Sequence, residues 1–199
     1  MFLKKVLIRF LDLFDQNLFR LLVKLFYPQY KRPRKGYMKH YRLLWEFFFM
    51  QKIMGFNRWV PWPVDFRSKV RGWRFIQKGI MCDPGDSPGV YINAFGGLKM
   101  GNNVAVAPNV TIVTTNHNKY DHRKISQTKG VEIGNNVWIG ANCVILPGAK
   151  IGDEVTIGAG CVVSGEIPSK STVTRGDDAI KIIPKTKDYE WDIYQEKLT

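Results

Sequence analysis

His117 stands where a side chain could do acid–base chemistry. It ends a regular β-type pattern and directly precedes a polar stretch, Asn118–Gly130, that is too hydrophilic to continue that pattern. An imidazole exchanges a proton near neutral pH, and a loop that leaves a rigid scaffold directly after it can form one wall of a site. Of the other two histidines, His40 lies outside the pattern. His122 lies within the polar stretch, either at the surface or in the lining of a pocket.

The pattern that must position His117 is a six-residue repeat. From Ile133 the chain divides into six uninterrupted hexads with an aliphatic residue first and usually a glycine second: IGNNVW, IGANCV, ILPGAK, IGDEVT, IGAGCV and VSGEIP. Upstream, Met100–Thr111 fits the template twice, and IVTTNH follows in phase and ends on His117. A period of six predicts a β-helix in which three hexads close one triangular coil and the first side chain of each hexad points into the core.

Glycines and cysteines of the hexads fit this geometry. Glycine at the second position suits a tight corner where a Cβ atom would crowd the backbone. The second-position glycines are Gly134, Gly140, Gly152 and Gly158. Cys143 and Cys161 are 18 residues apart, so they should stack one strand spacing, about 4.8 Å, from each other as buried thiols. Together with Cys82 they match neither zinc-binding nor redox spacing, so we expect no metal and a reducing, cytoplasmic setting.

The positive charge of the chain belongs to its first part. Residues 1–79 hold 18 Lys and Arg against 4 Asp and Glu, a net +14, whereas residues 80–199 hold 12 against 13, a net −1. This distribution points to an anionic partner for the first part, such as a phospholipid surface or a phosphorylated substrate. No nucleic-acid-binding module accompanies the basic residues, so nucleic acid is not an expected partner.

The first 26 residues predict an amphipathic helix that ends before Pro28. Charged residues recur throughout, so no uncharged run approaches the roughly 18 residues of a membrane span. The apolar face either packs on protein or lies in a membrane interface. The basic cluster around Lys31–Lys35 favours peripheral contact of residues 1–37 with the inner face of the cell membrane. A second helix is predicted over Tyr41–Met54, and a connector rich in Pro and Trp follows it.

These elements predict three parts of the chain. Residues 1–60 form a basic, helical extension, residues 61–184 form the β-helix with an extruded loop at 118–130, and residues 185–199 form a tail. The fold class is therefore mainly β, with an N-terminal α-helical extension.

Four segments carry a family likeness. They are YIN at Tyr91–Asn93, TTNHNKYDHR at Thr114–Arg123, IGNNVWIGANCVILPG at Ile133–Gly148 and IGAGCVV at Ile157–Val163. Together they resemble the hexapeptide-repeat acyltransferases, in particular the maltose and galactoside O-acetyltransferases and the related polysaccharide O-acetyltransferases. The resemblance covers roughly residues 85–183. It implies a left-handed parallel β-helix, a homotrimer with sites between adjacent subunits, and acetyl-CoA as the donor.

The resemblance also implies roles for individual residues. His117 would be the catalytic base, and Asn93 would hold the acceptor hydroxyl or the developing oxyanion. Trp138 would line the cleft. Backbone groups of small residues would border the pantetheine arm of the donor, namely Gly140, Ala141, Gly158 and Ala159. Asp121, Glu132 or a backbone carbonyl would orient the imidazole, and the sequence does not choose among them.

One departure from the family pattern concerns the CoA phosphates. This sequence has Ser164–Gly165 where the family often has a lysine, and it places Asp177 and Asp178 where phosphates should approach. The cations that remain to bind the phosphates are Arg175, Lys181 and Lys185.

The predicted activity is transfer of an acetyl group from acetyl-CoA to a sugar hydroxyl of a cell-surface polysaccharide or its lipid-linked precursor. Two alternatives stay open: N-acetylation of an amino-sugar nucleotide, and a non-catalytic trimeric scaffold that binds membranes. A zinc-dependent γ-type carbonic anhydrase would need three histidines, and only His117 and His122 lie in this region.

Overall fold

Three sheets of short strands wind into a left-handed β-helix. The computed structural model of the chain describes residues 2–32, 38–118, 125–175 and 180–184. The strands are β1 (Lys69–Arg71), β2 (Ile76–Lys78), β3 (Tyr91–Asn93), β4 (Leu98–Met100), β5 (Val104–Val106), β6 (Thr111–Val113), β7 (Thr115–His117), β8 (Ile125–Thr128), β9 (Val131–Ile133), β10 (Val137–Ile139), β11 (Val144–Ile145), β12 (Lys150–Ile151), β13 (Thr156–Ile157), β14 (Val162–Val163), β15 (Glu166–Ile167), β16 (Ser171–Arg175) and β17 (Ile180–Pro184).

From β4 to β14, each coil contributes one strand to each of the three sheets, whereas β3 follows β2 with no sheet II strand between them. Sheet I has the order β1-β3-β6-β11-β14, sheet II the order β17-β16-β13-β10-β5, and sheet III the order β15-β12-β9-β4-β2. Neighbouring strands are parallel, except that β16 and β17 are antiparallel, as are β7 and β8, which form a separate ribbon. Along the chain the strands pass from sheet III to sheet II to sheet I and back to sheet III.

The hexads are in register with this winding. Ile139 of β10 lies beside Ile157 of β13, and Ile133 of β9 lies beside Ile151 of β12, so paired residues are 18 positions apart. First-position side chains are buried throughout the repeat: Ile133, Ile139, Ile145, Ile151, Ile157 and Val163. Fifth-position side chains are buried as well: Val137, Cys143, Ala149, Val155, Cys161 and Ile167. The predicted β-helix and its inward-facing positions are confirmed.

Close stacking of the coils explains the glycines at the corners. A Cβ atom at Gly140 would lie 2.7 Å from the backbone nitrogen of Ala159 in the next coil. Because real Cβ atoms do not approach that closely, a side chain at this position would push two coils apart. Two residues further on, Asn142 has a φ of 58°, in the left-handed region that Asn tolerates better than most residues.

Cys143 and Cys161 are buried free thiols inside the stack, as their fifth positions predict. The thiol of Cys143 donates to the carbonyl oxygen of Gly158 at 3.0 Å. Burial raises the pKa of both thiols, so they act as small apolar side chains of the core.

The N-terminal extension is built from two helical segments, as predicted. They comprise α1 (Phe2–Phe14), a π-helical turn (Asp15–Phe19), α2 (Arg20–Phe26), α3 (His40–Leu43) and a π-helical stretch (Leu44–Ile53). The π-helical turns are not evident from the sequence. Across the described ranges, no helix combines the length and the apolar character that crossing a bilayer requires.

Charged side chains fix the extension internally and to the β-helix. Asp15, fully buried, lies with its carboxylate 3.1 Å from Nδ1 of His40, which joins the first helical segment to the second. Arg32 pairs with Asp83 at 3.0 Å, and Lys78 pairs with the same carboxylate at 3.0 Å. Asp83 is buried, and Lys78 also donates to the carbonyl oxygen of Gln29 at 2.7 Å, so the two cations tie the end of the first segment to the β-helix.

Candidate active site

His117 lies on a ribbon that leaves the β-helix where the chain passes from sheet I to sheet III. The ribbon consists of β7 and β8, and the coil closes beneath it because the Lys129 amide donates to the carbonyl oxygen of Thr114 at 3.1 Å. The in-phase reading of IVTTNH predicts instead that His117 ends a coil wall. In the structure the chain leaves the coil earlier, at Thr114, and the hydrogen bonds of the Thr114 side chain explain this position.

Thr114 holds the base of the ribbon to the preceding coil. Its side chain has 0% exposure, and its hydroxyl donates to the carbonyl oxygen of Asn93 at 2.9 Å. The same hydroxyl accepts a hydrogen bond from the Gly96 amide at 2.7 Å. Both functions of the hydroxyl are therefore used, and the strand that carries His117 starts from a fixed point.

Asn93 contacts the ribbon two residues before His117. The amide nitrogen of Asn93 donates to the hydroxyl of Thr115 at 3.2 Å. Side chains two residues apart on a strand share a face, so His117 projects on the side of Thr115, about 7 Å further along the strand. The extra residue of the irregular pairing, Ser126, belongs to β8, which leaves the alternation along β7 intact. The structure therefore brings the predicted acceptor ligand, Asn93, into contact with the strand that carries the predicted base.

An exposed aromatic pair lies beside Asn93. The rings of Phe75 and Phe95 are 6.2 Å apart between centroids, and the Phe95 amide donates to Oδ1 of Asn93 at 3.3 Å. Both rings are more than half exposed. Sequence reasoning missed this pair, although a lone aromatic between Asn93 and the Gly96–Gly97 pair was a signal that could have found it.

The remaining predicted residues lie elsewhere on the β-helix. Trp138 is on β10 of sheet II, next to the edge strand β5; it pairs with Ala105 of β5 and Thr156 of β13, and it is 57% exposed. It therefore occupies the outer face of that sheet. The ribbon that carries His117 leaves the β-helix elsewhere, at the corner between sheets I and III.

Two stacked turns between sheets II and I hold the small residues. The turn at Gly140–Ala141 lies beneath the turn at Gly158–Ala159, because the Gly160 amide donates to the carbonyl oxygen of Ala141 at 2.8 Å. Arg175 ends β16 and is exposed. Val173 of the same strand pairs with Ile157, directly before the upper turn, so Arg175 follows two residues later on the side of that turn.

Within one chain, the predicted residues thus form two groups that lie on different parts of the β-helix. The I–III corner has Asn93 and His117. The face of sheet II and the II–I corner have the residues that were predicted to line the cleft and to bind the donor, namely Trp138, Gly140, Ala141, Gly158, Ala159 and Arg175.

Several predicted residues lie outside the described ones. They are Asp121, His122, Asp177, Asp178, Lys185 and the side chain of Lys181. Glu132, a candidate to orient His117, lies 3.8 Å from Lys99 on the outer face of sheet III. In the part of the chain that the structure describes, no three His, Cys, Asp or Glu side chains converge as a metal site would require.

Comparison with known sequences matches residues 130–165 to the bacterial transferase hexapeptide family (six repeats). Over 74 residues the chain is 47% identical to galactoside O-acetyltransferase of Escherichia coli (strain K12). That stretch covers 36% of this chain and 36% of the relative, so the chain matches about a third of the length of the curated relative.

Comparison with solved structures finds similar architectures. Galactoside acetyltransferase in complex with coenzyme A is 28% identical, over 66% of this chain and 70% of that chain, with a TM-score of 0.49. AntD, an N-acyltransferase from Bacillus cereus in complex with dTDP and 3-hydroxybutyryl-CoA, is 14% identical, over 63% of this chain and 80% of that chain, with a TM-score of 0.51. The likeness to AntD supports the fold alone.

Proposed function

We propose that this chain, whose residues 130–165 are a bacterial transferase hexapeptide segment, is an acetyl-CoA-dependent O-acetyltransferase that acts on a sugar hydroxyl. The observation that carries the proposal is that Asn93 bonds to Thr114 and Thr115, three and two residues before His117, where the chain leaves the rigid β-helix. The identity to galactoside O-acetyltransferase supports the same reaction class.

The proposed reaction is a direct transfer in which His117 handles one proton. The imidazole takes the proton of the sugar hydroxyl while that oxygen attacks the thioester carbonyl carbon of acetyl-CoA. Collapse of the tetrahedral intermediate breaks the carbon–sulfur bond, and the imidazolium returns the proton to the leaving CoA thiolate. The Asn93 amide would donate to the acceptor hydroxyl or to the oxyanion of the intermediate.

The separation of the two groups of residues supports a site that a second copy completes. His117 and Asn93 project from the I–III corner, whereas Trp138 lies on sheet II. In the proposed homotrimer, the ribbon of one subunit approaches the sheet II face of the next. Each chain would then contribute its base to one site and its Trp138 to another.

The residues of the II–I corner fit the donor. Ala141 and Ala159 carry side chains too small to obstruct an extended pantetheine arm, and the stacked turns align them along the corner. Arg175 lies at the end of this strip and offers a guanidinium to a phosphate of CoA. Lys181 is proposed as a second phosphate ligand.

The acceptor is proposed to be a cell-surface polysaccharide or its lipid-linked precursor. The exposed rings of Phe75 and Phe95 would pack against a sugar ring beside Asn93. The basic extension, residues 1–37, supports a cytoplasmic enzyme that meets this acceptor at the inner face of the cell membrane.

Measurement of CoA thiol release with candidate sugars tests the reaction. Replacement His117→Ala should lower kcat by about 10² to 10⁴ and leave the KM for acetyl-CoA nearly unchanged. Lys150→Ala is the matched control, because Lys150 lies exposed on β12 and pairs only with Glu166 among the described residues. Equal kcat values for the His117→Ala variant and the wild type would refute the mechanism.

Mixed oligomers test the shared site. His117→Ala and Trp138→Ala subunits, each impaired alone, should recover activity when refolded together, because some interfaces then hold an intact His117 and an intact Trp138. No recovery in mixed oligomers would place both residues in the site of one subunit. An alkali-stable amide product would indicate N-acetyl transfer, and the absence of any CoA release would favour the scaffold.

A further inference from the structure

Exposed large apolar side chains are concentrated on the N-terminal extension. Among the described residues the whole chain has 21 of them, and 15 lie before residue 67. The 15 are Val6, Phe10, Leu13, Phe14, Leu18, Leu21, Leu25, Met38, Trp45, Phe49, Ile53, Met54, Phe56, Trp59 and Phe66. A concentration of this kind marks a surface that another body covers.

The second helical segment contributes as much to this surface as the first. Trp45, Phe49 and Ile53 follow one another at four-residue spacing, and Trp45 is 90% exposed, the largest value among the exposed apolar residues. Trp59, in the connector that follows, is 76% exposed. Both tryptophans are therefore available to a partner, whereas Trp62 of the same connector is buried in the β-helix core.

A groove of about 560 Å³ runs between the two segments. Its walls are almost entirely apolar and include Leu11, Phe19, Leu44 and Phe48. Arg42 lies at the groove, is exposed, and has no acidic partner among the described residues. The groove therefore combines hydrocarbon walls with one available cation, which matches the chemistry of an anionic lipid.

The charges around the surface are mostly positive. Of the acidic residues in the two segments, Asp12 pairs with Lys39 at 3.2 Å, and Asp15 is buried against His40. This leaves Glu46 as the exposed acid without an ion pair in the described part of these segments. Besides Lys39, which pairs with Asp12, the exposed cations of residues 2–26 and 38–66 are Lys5, Arg9, Lys24, Arg42 and Arg58.

From these observations we infer that residues 2–26 and 38–66 form one docking surface for an anionic phospholipid bilayer. The apolar side chains enter the interface, Trp45 and Trp59 lie at headgroup depth, and Arg42 binds a lipid phosphate at the groove. A second copy of the chain is a poorer partner, because a symmetric contact would bring two positive surfaces together.

This inference extends the proposed contact of residues 1–37 to the second helical segment and the connector. The use of this surface to bring the enzyme to a lipid-linked acceptor rests on the proposed function. The ion pairs of Asp83 with Arg32 and Lys78 would carry the attachment to the β-helix and hold the His117 ribbon at a set distance from the membrane.

Sedimentation of the full chain with vesicles tests the inference. The wild type should bind vesicles of phosphatidylcholine with phosphatidylglycerol at least about tenfold more strongly than vesicles of phosphatidylcholine alone, and salt should weaken the binding. The double change Trp45→Ser and Trp59→Ser should weaken binding by about tenfold or more. Arg42→Gln should weaken binding by about fivefold. Val162→Ser is the matched control, since Val162 is exposed on β14 of the β-helix.

Three outcomes would overturn the inference. They are no binding of the wild type to vesicles, equal binding of the tryptophan double variant to vesicles, or an oligomer that the wild type forms and the double variant does not. The last outcome would assign the surface to a second copy. Circular dichroism of the variants shows whether they fold. Activity on a water-soluble acceptor should remain in the double variant, so failure of membrane docking is distinct from failure of the transferase proposal.

Discussion

Replacement of Thr114 by valine should loosen the ribbon that carries His117. Valine keeps the shape of threonine but removes the hydroxyl, which donates to the carbonyl oxygen of Asn93 and accepts from the Gly96 amide. Loss of the first bond costs about 1 kcal/mol, and a Gly96 amide left without its partner costs about 1–3 kcal/mol. The free energy of unfolding should therefore fall by about 2–4 kcal/mol.

The matched control is Thr114→Ser, which keeps the hydroxyl and loses one buried methyl group. Its expected cost is about 1 kcal/mol. Urea unfolding measures both variants, and kcat for acetyl transfer should fall more in the valine variant because His117 lies three residues beyond the lost anchor. If the valine variant is as stable and as active as the serine variant, the Thr114 hydroxyl does not hold the ribbon.

Three further outcomes are expected. Gly140→Ala should lower the thermal midpoint by several degrees, because the new Cβ would meet the Ala159 nitrogen at 2.7 Å; an unchanged midpoint would mean that the coils separate freely. Phe95→Ala should raise the KM for the sugar acceptor while the KM for acetyl-CoA stays constant, and equal rises would contradict an acceptor contact. Burial, together with the nearby Asp83 charge, raises the pKa of Asp86 to about 7 against the opposing charge of Arg32. A raised pKa means that the folded state holds this proton more tightly, so the stability contributed by Asp86 is full below about pH 4 and is lost as the pH rises through 7. The difference in unfolding free energy between the wild type and Asp86→Asn should show this fall, and a flat difference would argue against it.

Periodic features of the chain could be predicted from sequence. The hexads predict the stacked coils and the buried first and fifth positions, because the same side-chain environment recurs every six residues along the chain. The amphipathic pattern likewise predicts the helical segments of the extension. The π-helical turn at Asp15–Phe19 was not predicted, since it accompanies the contact of Asp15 with His40, 25 positions away.

Features that depend on contacts between coils could not be predicted. Thr114 reads as an ordinary hexad residue, and its importance arises from Gly96 and Asn93, which are 18 and 21 positions away. For the same reason, the in-phase sequence IVTTNH predicts a coil wall where the structure has an antiparallel ribbon. The hexad pattern shows the period of the β-helix, but it does not show the hydrogen bonds of Thr114 that fix the point where the chain leaves the coil.

The closure of the coil beneath the ribbon makes residues 115–128 an insert whose two ends are fixed by the β-helix. Thr114 and Lys129 are joined by a backbone hydrogen bond of 3.1 Å, and the Val131 amide continues the ladder onto Gly97. The two ends of the insert are therefore neighbours whatever lies between them. Lengthening the part of this segment that follows His117 would leave the winding of the β-helix unchanged, so under the proposed function the acceptor side can change at this corner while the residues of the II–I corner stay constant.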